Sequence, residues 1–384
     1  MEINELLKEA YSRQASDLHI KVGSPPVLRI HGELVPLQGL QRITQEDALK
    51  MATIVMSPGQ RELFKKRHDI DLAYSVPGLG RFRCNILIQR GTIGLVFRVI
   101  PMKIPTLDEL NLPEVLKKIA LEPRGLILVT GTTGSGKSTT LAAIIDHINN
   151  NRTNNIITIE DPIEYLHRDK KSIINQREVG SDTESFSKAL RAALRQDPDV
   201  ILVGEMRDFE TIQTAITAAE TGHLVLSTLH TTDATETVNR IIAVFPPYQH
   251  KQIRTQLSSV IKGIISMRLV PRADGSGRVP AVEVLLATDT IKECIFDPDK
   301  TRMISEVIAK SKIHYGMQTF DQSIYDLFKS GFITYEEALM RATNPDDFAL
   351  KVKGIQSTSD LTYEEIDQHK QGSKSGIPIE RFRQ

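Results

Sequence analysis

Residues 125–148 read GLILVTGTTGSGKSTTLAAIIDHI, and this stretch decides the fold. Its first six residues are a continuous apolar run. Continuous rather than alternating hydrophobicity marks a strand buried on both faces, as in a parallel sheet covered by helices. Its last third places Leu141, Ile144, Ile145 and Ile148 on one face of a helix. Between them Gly131-Thr132-Thr133-Gly134-Ser135-Gly136-Lys137-Ser138 matches G-x-x-x-x-G-K-[ST] in full, with Thr139 following. Glycines there let successive backbone N–H groups turn inward around phosphate oxygens, at the positive end of the helix dipole. Lys137 is expected to reach the β- and γ-phosphates of ATP, and the Ser138 hydroxyl to ligate Mg²⁺.

Three more apolar runs follow, NIITIE (155–160), DVILVGE (199–205) and HLVLSTLH (223–230), separated by helical or loop segments. Together the four runs predict a doubly wound α/β domain over about residues 115–245. Ligands of open parallel sheets bind at the carboxyl ends of the strands. The polar residues at those ends are the Gly-rich loop, Glu160, Glu205 and His230. Glu205 could orient a magnesium shell through water or polarise an attacking water. Glu160, Asp161 and Glu164 put three carboxylates within five residues, costly unless a cation or arginines compensate. His223 and His230 flank the fourth run, but a zinc site would need two further ligands, and no cysteine lies near.

Upstream, the first hundred residues read as a small α+β domain. Ile3, Leu6, Leu7 and Ala10 share a helix face, and Thr44 with Asp47 predicts a capped helix over 45–56. LHIKV, VLRIHGELVPL with a turn at His31-Gly32, DIDLAYSV, RFRCNILIQ and TIGLVFRVI read as strands. In RFRCNILIQ, alternation puts Phe82, Cys84, Ile86 and Ile88 on one face and Arg81, Arg83 and Asn85 on the other. Neighbouring arginines pointing the same way must face solvent, a partner or an anion. Residues 101–123, rich in proline, read as a connector. After about residue 246 the pattern is mostly helical, broken by a hairpin (SMRLVPR, ADGSG, RVPAVEVLL). Thr319 with Gln322 and Thr334 with Glu337 predict capping boxes. The end, from about residue 351, is polar and aperiodic and reads as a flexible tail.

Composition excludes several classes. The 384 residues carry 48 Lys+Arg against 48 Asp+Glu, so there is no bulk attraction to nucleic acid or anionic lipid. Two cysteines cannot build a disulfide scaffold or a four-cysteine zinc element. The start, MEINELLKEAYSRQ, is acidic and mixed and does not read as a signal peptide. The longest apolar runs are far short of the roughly 20 residues that span a bilayer. The expectation is a cytoplasmic protein.

The motifs together resemble the secretion ATPase superfamily, most closely the type IV pilus retraction ATPases of the PilT and PilU type. They stand here as GTTGSGKS (131–138), ITIEDPIEY (157–165), INQREVG (174–180), LRQDPDVILVGEMRD (194–208), TGHLVLSTLHT (221–231) and GMQTFDQ (316–322), within a likeness covering about residues 3–345. The resemblance implies a PAS-like N-terminal α+β domain (1–100), a linker (101–114) and a RecA-like P-loop NTPase domain with C-terminal helices (115–350), followed by the tail (351–384). It implies a homohexamer that binds ATP between the two domains and works at the inner face of the cell membrane on a pilus platform protein, alone or beside a paralogous retraction ATPase. It makes Glu164 the carboxylate that activates water, Glu205 the Walker B residue, His230 the sensor of nucleotide state, and Arg81, Arg83 and Arg98 the arginines that meet the phosphates. One stretch departs. Where retraction ATPases carry two arginines after the hairpin, Thr290-Ile291-Lys292-Glu293-Cys294-Ile295-Phe296-Asp297 keeps the apolar spacing and loses both. Lys and Arg are not equivalent where a planar fork is needed. The departure leaves an accessory paralogue open beside a self-sufficient motor. An assembly or type II secretion ATPase is disfavoured by length and cysteine count.

Overall fold

The computed structural model describes residues 2–30, 32–101 and 103–354. The flexible-tail expectation beyond residue 354 and the His31 half of the expected turn lie outside them. The described chain forms two compact units that are not consecutive in sequence. The first takes residues up to Ile104 together with Asp161–Arg168 and Glu178–Thr183, and the second takes Pro105–Glu160, Asp169–Arg177 and the chain from Glu184.

In the first unit the strands are β1 (Asp17–Lys21), β2 (Val27–Ile30), β3 (Glu33–Pro36), β4 (Asp69–Val76), β5 (Gly80–Gln89) and β6 (Thr92–Val99). They form a sheet in the order β3-β2-β1-β6-β5-β4 with every pair antiparallel. The helices are α1 (Ile3–Ser12), α2 (Gln45–Val55) and α3 (Pro58–Arg67). α2 opens with a full capping box, the Thr44 hydroxyl accepting from Asp47 N–H and the Asp47 carboxylate accepting from Thr44 N–H. Ile3, Leu6 and Leu7 of α1, Met51 of α2 and Phe64 of α3 share one core with Leu18, Phe82, Cys84, Ile86 and Phe97 of the sheet. Alternation along β5 therefore holds through Ile86. Ile88, expected on the same face, is exposed. It stands beyond the last buried pair, Ile86 opposite Leu95, where the hairpin runs out towards its turn at Arg90-Gly91.

In the second unit α4 (Val115–Ala120) precedes β7 (Gly125–Thr130), α5 (Lys137–Asn151), β8 (Asn155–Glu160), β9 (Ile173–Glu178) and α6 (Phe186–Ala193). Then come β10 (Val200–Val203), α7 (Phe209–Glu220), β11 (Leu224–Leu229), α8 (Ala234–Ala243), α9 (His250–Val260), β12 (Ile261–Pro271) and β13 (Arg278–Leu286). The strand order is β13-β12-β7-β11-β10-β8-β9. β12, β7, β11, β10 and β8 run parallel, while β13 returns antiparallel on β12. All residues of β7, β10 and β11 are buried, as continuous apolar runs require. Ile127, Val129, Leu202 and Leu226 face α4 and α5. The other sheet face packs on α6, α7 and α8.

This sheet is larger than the four runs predict. The hairpin expected in a helical region begins at Ile261 and joins the sheet, its first strand beside β7. Lys262 and Gly263 break the apolar run, which hides its start from a periodicity argument. β9 is a half-exposed, polar edge strand without an apolar run. Beyond β13 lie α10 (Asp289–Phe296), α11 (Ile304–Lys310), α12 (Lys312–Tyr315), α13 (Phe320–Lys329), α14 (Tyr335–Arg341) and α15 (Pro345–Val352). Phe320, Ile324 and Leu327 of α13 and Phe348 of α15 pack on Val270, Val279 and Ala281 of the hairpin. Thr319 and Gln322 form the expected box. Thr334 accepts from Glu337 N–H only, because the Glu337 carboxylate turns along α14 to Arg341, 3.6 Å away.

Candidate nucleotide site

The loop between β7 and α5 depends on its glycines. Gly131 has φ +143°, and a Cβ there would lie 2.5 Å from both the Met267 carbonyl and Ser135 Oγ. Gly134 and Gly136 take φ +77° and +97°, the left-handed region that favours glycine. Gly136 ends the loop as the N-cap of α5, so the helix points its unsatisfied N–H groups and dipole into the loop. Lys137 is 8% exposed and folds back over the loop, its Nζ donating to the carbonyls of Gly131 (2.7 Å) and Thr132 (2.9 Å). Ser135 Oγ is buried with no hydrogen-bond partner among the described residues. A phosphate fits both features: it gives that hydroxyl an acceptor, and it needs the close approach that glycine alone permits. Ser138 and Thr139 stand half-buried on the first turn of α5.

β7, β10 and β11 are parallel, so the loop, Glu205 and His230 emerge along one edge of the sheet. The structure brings the last two together. His230 Nε2 lies 3.2 Å from Glu205 Oε1, and the Arg207 Nε bonds the same oxygen. The turn that carries Glu205 is tied to β11, since Thr228 Oγ1 donates to Gly204 O (2.7 Å) and Met206 N–H to Thr228 O (3.2 Å). Sequence reasoning did not single out Arg207, although it lies two residues past Glu205. His223 is structural, with Nδ1 2.9 Å from the Ala218 carbonyl.

The acidic triplet divides between the two units. Glu160 belongs to the second unit, where its carboxylate accepts from Thr158 Oγ1 (2.6 Å) and Gln176 Nε2 (3.2 Å). Asp161 and Glu164 belong to the first unit, with Glu164 exposed. These two hydrogen bonds offset part of the cost at Glu160.

The arginines Arg81, Arg83 and Arg98 share the first unit's open sheet face. Cross-strand pairing sets Arg83 opposite Arg98, Arg98 opposite Asp17, and Asp17 opposite Arg29. Asp17 is 5% exposed; Arg98 Nε donates to it at 2.9 Å, Ser16 Oγ at 2.8 Å, and Arg29 Nε lies 3.9 Å away. Arg83 Nε is 3.9 Å from Asp71. Arg81 Nη2 bonds Glu178 Oε2 at 3.0 Å. Each arginine thus has a carboxylate of its own unit nearby. Glu178, Asp17 and Arg29 were not picked out from sequence. The usable signals are a glutamate within the motif INQREVG and an acid at the start of the run that forms β1.

The departing stretch 290–297 falls on α10 and its C-cap Asp297, with Ile291, Cys294 and Ile295 buried. Its charges are paired locally, Lys292 with Asp289 at 3.1 Å and Glu293 with Lys300.

A buried central strand, a glycine loop with its lysine folded onto it and a helix N-terminus behind define a P-loop nucleotide-binding protein. The chain belongs to the type II/IV secretion system protein family, whose model matches residues 1–339. It is 44% identical to the type IV pilus retraction ATPase PilT of Pseudomonas aeruginosa over 91% of this chain and 100% of that protein. It is also 44% identical to the type IV pilus ATPase PilU of the same organism, over 94% of each. A crystal structure of the pilus retraction motor PilT with bound ADP superposes with a TM-score of 0.83 at 47% identity, covering 90% of this chain and 98% of that one. No helix among the described residues is long and apolar enough to cross a membrane.

Proposed function

We propose that this chain is the subunit of a homohexameric, Mg²⁺-dependent ATPase that drives retraction of a type IV pilus. In this reading the first unit is PAS-like and the second RecA-like. The observation that carries it is a P-loop of fitting geometry, with Glu205 and His230 on the same sheet edge, in a chain related to PilT over nearly its whole length. The loop N–H groups, Ser135 and Lys137 bind the phosphates. Mg²⁺, held by Ser138 with Glu205 acting through its water shell, would neutralise charge on the β- and γ-oxygens. Glu164 takes the proton of the attacking water. His230, in contact with Glu205, senses whether the γ-phosphate is present. Arg81, Arg83 and Arg98 supply positive charge as negative charge develops; in related phosphoryl transfers an arginine is worth on the order of 10³–10⁵ in rate. The motor acts on an inner-membrane platform protein from the cytoplasmic side.

A second reading, an accessory paralogue of weak activity, is favoured by one observation: the stretch 290–297 keeps its apolar spacing and lacks both arginines. Phosphate release by the purified full chain, beside Lys137→Ala and Glu164→Ala, tests the engine. Turnover by wild type no faster than by either variant ends the motor reading. Light scattering with Mg²⁺ and ATP tests the ring, and a monomer there removes it. Deletion of the gene should leave surface pili accumulated and twitching lost; loss of pili would contradict retraction. Twitching restored by this chain in a strain lacking every paralogue would exclude the accessory reading.

A further inference from the structure

Glu178 ends the edge strand β9 at the point where the chain passes from the second unit to the first. Its carboxylate is 8% exposed, and a single oxygen, Oε2, accepts from two sources. One is Arg81 Nη2 at 3.0 Å; the other is the backbone N–H of Ile163 at 3.2 Å. Ile163 is itself buried and directly precedes Glu164. Arg81 comes from a strand 97 residues earlier, so this oxygen joins two parts of the unit that are far apart in sequence. Glu178 is in turn anchored through its backbone, its N–H donating to Asp182 Oδ2 at 2.8 Å and its carbonyl accepting from Asp182 N–H at 2.8 Å. The Arg81 Nε is buried without a partner among the described residues. Arg81 therefore depends on Glu178 for its neutralisation.

We propose that Glu178 is a positioning residue that holds Arg81 and the loop bearing Glu164 to each other through one carboxylate oxygen. The proposal rests on the ATPase reading for its consequence in turnover, and on geometry alone for the linkage. When Arg81 leaves Glu178 for an anion, the carboxylate is left buried and uncompensated, a costly state. It then turns towards water and releases the Ile163 N–H. An arginine that meets phosphate and a carboxylate that activates water are in this way coupled inside one unit, with no contact of their own.

Three variants of the full chain test it. Glu178→Gln keeps an acceptor for Ile163 N–H and removes the charge that holds Arg81. Its kcat should fall about tenfold or more with KM within about threefold of wild type, since only transition-state positioning is lost. The double variant Arg81→Ala/Glu178→Gln should be no slower than Arg81→Ala, within about twofold, as for groups that act as one. Losses that multiply, or a Glu178→Gln enzyme within about twofold of wild type, would overturn the proposal. Hydrogen exchange supplies an arm that needs neither turnover nor a Glu178 variant. In Arg81→Ala the peptide spanning residues 161–168 should exchange about tenfold faster or more, while β7 and β11 stay protected. An unchanged rate there refutes the linkage. Wild-type protein that releases no phosphate would end the ATPase reading alone, with the exchange arm still deciding this one.

Discussion

Replacing Glu283 by glutamine should remove a pH dependence of stability that the wild-type fold carries in its second sheet. Glu283 lies on β13 opposite Ser266, whose Oγ accepts from Thr130 Oγ1 at 3.0 Å, the residue before Gly131. The carboxylate is 6% exposed. Burial pushes its pKa up to about 7, with Asp233 and Asp321 adding to the rise, while the hydrogen bond from Ala234 N–H and the charge of Arg268 oppose it. Moving a carboxyl from about 4.5 to about 7 corresponds to roughly 3 kcal/mol in favour of the protonated folded state. Because the folded value is the higher one, that contribution is fully present below about pH 4.5 and is lost as pH rises through about 7. The amide of Glu283→Gln still offers an oxygen to Ala234 N–H, 2.8 Å from the present carboxylate, and has nothing to titrate. Urea unfolding of both proteins at matched concentration, from pH 5 to pH 8.5, should show similar stability at the acid end. The variant should then gain on wild type by up to roughly 3 kcal/mol at the alkaline end. Parallel curves across that range would refute the argument, because every other titrating group is common to the two proteins.

Gly131→Ala should weaken binding of a fluorescent ADP analogue by about tenfold or more, since its Cβ would meet the Met267 carbonyl at 2.5 Å and the loop must move. Arg254→Ala should cost about 2–4 kcal/mol in denaturant unfolding. Its Nη1 joins α9 to the Ile295 carbonyl (2.7 Å) and Thr301 Oγ1 (2.9 Å), and both acceptors would be left buried. His230→Ala should lower kcat about tenfold or more with nucleotide affinity within about threefold, read by phosphate release and ADP-analogue titration. An affinity loss as large as the kcat loss would place His230 in binding rather than sensing.

What could be read from the sequence divides by distance along the chain. The P-loop, the cap at Thr44 and the buried runs β7, β8, β10 and β11 are local patterns, and they stand where periodicity and motif put them. β12 was only half visible because Lys262 and Gly263 interrupt it, and β9 was invisible because an edge strand needs no apolar run. The arginine face was legible as a face, yet not its counter-charges. Arg81 meets Glu178 across 97 residues and Arg98 meets Asp17 across 81, pairings that strand order creates and no spacing rule contains. The closeness of Glu205 and His230 likewise follows from β11 lying next to β10.

The interleaving of the two units has a practical consequence. The chain passes between them at 104/105, 160/161, 168/169, 177/178 and 183/184. A fragment ending near residue 104 would keep Arg81 and lose Glu178, and would keep the N-terminal sheet without two of the segments that complete its unit. Such a fragment is not an autonomous module that can be excised, transplanted or shuffled between proteins at a single joint. A protease nick in 161–168 or 178–183 would cut a segment that belongs to the first unit yet is joined at both ends to the second.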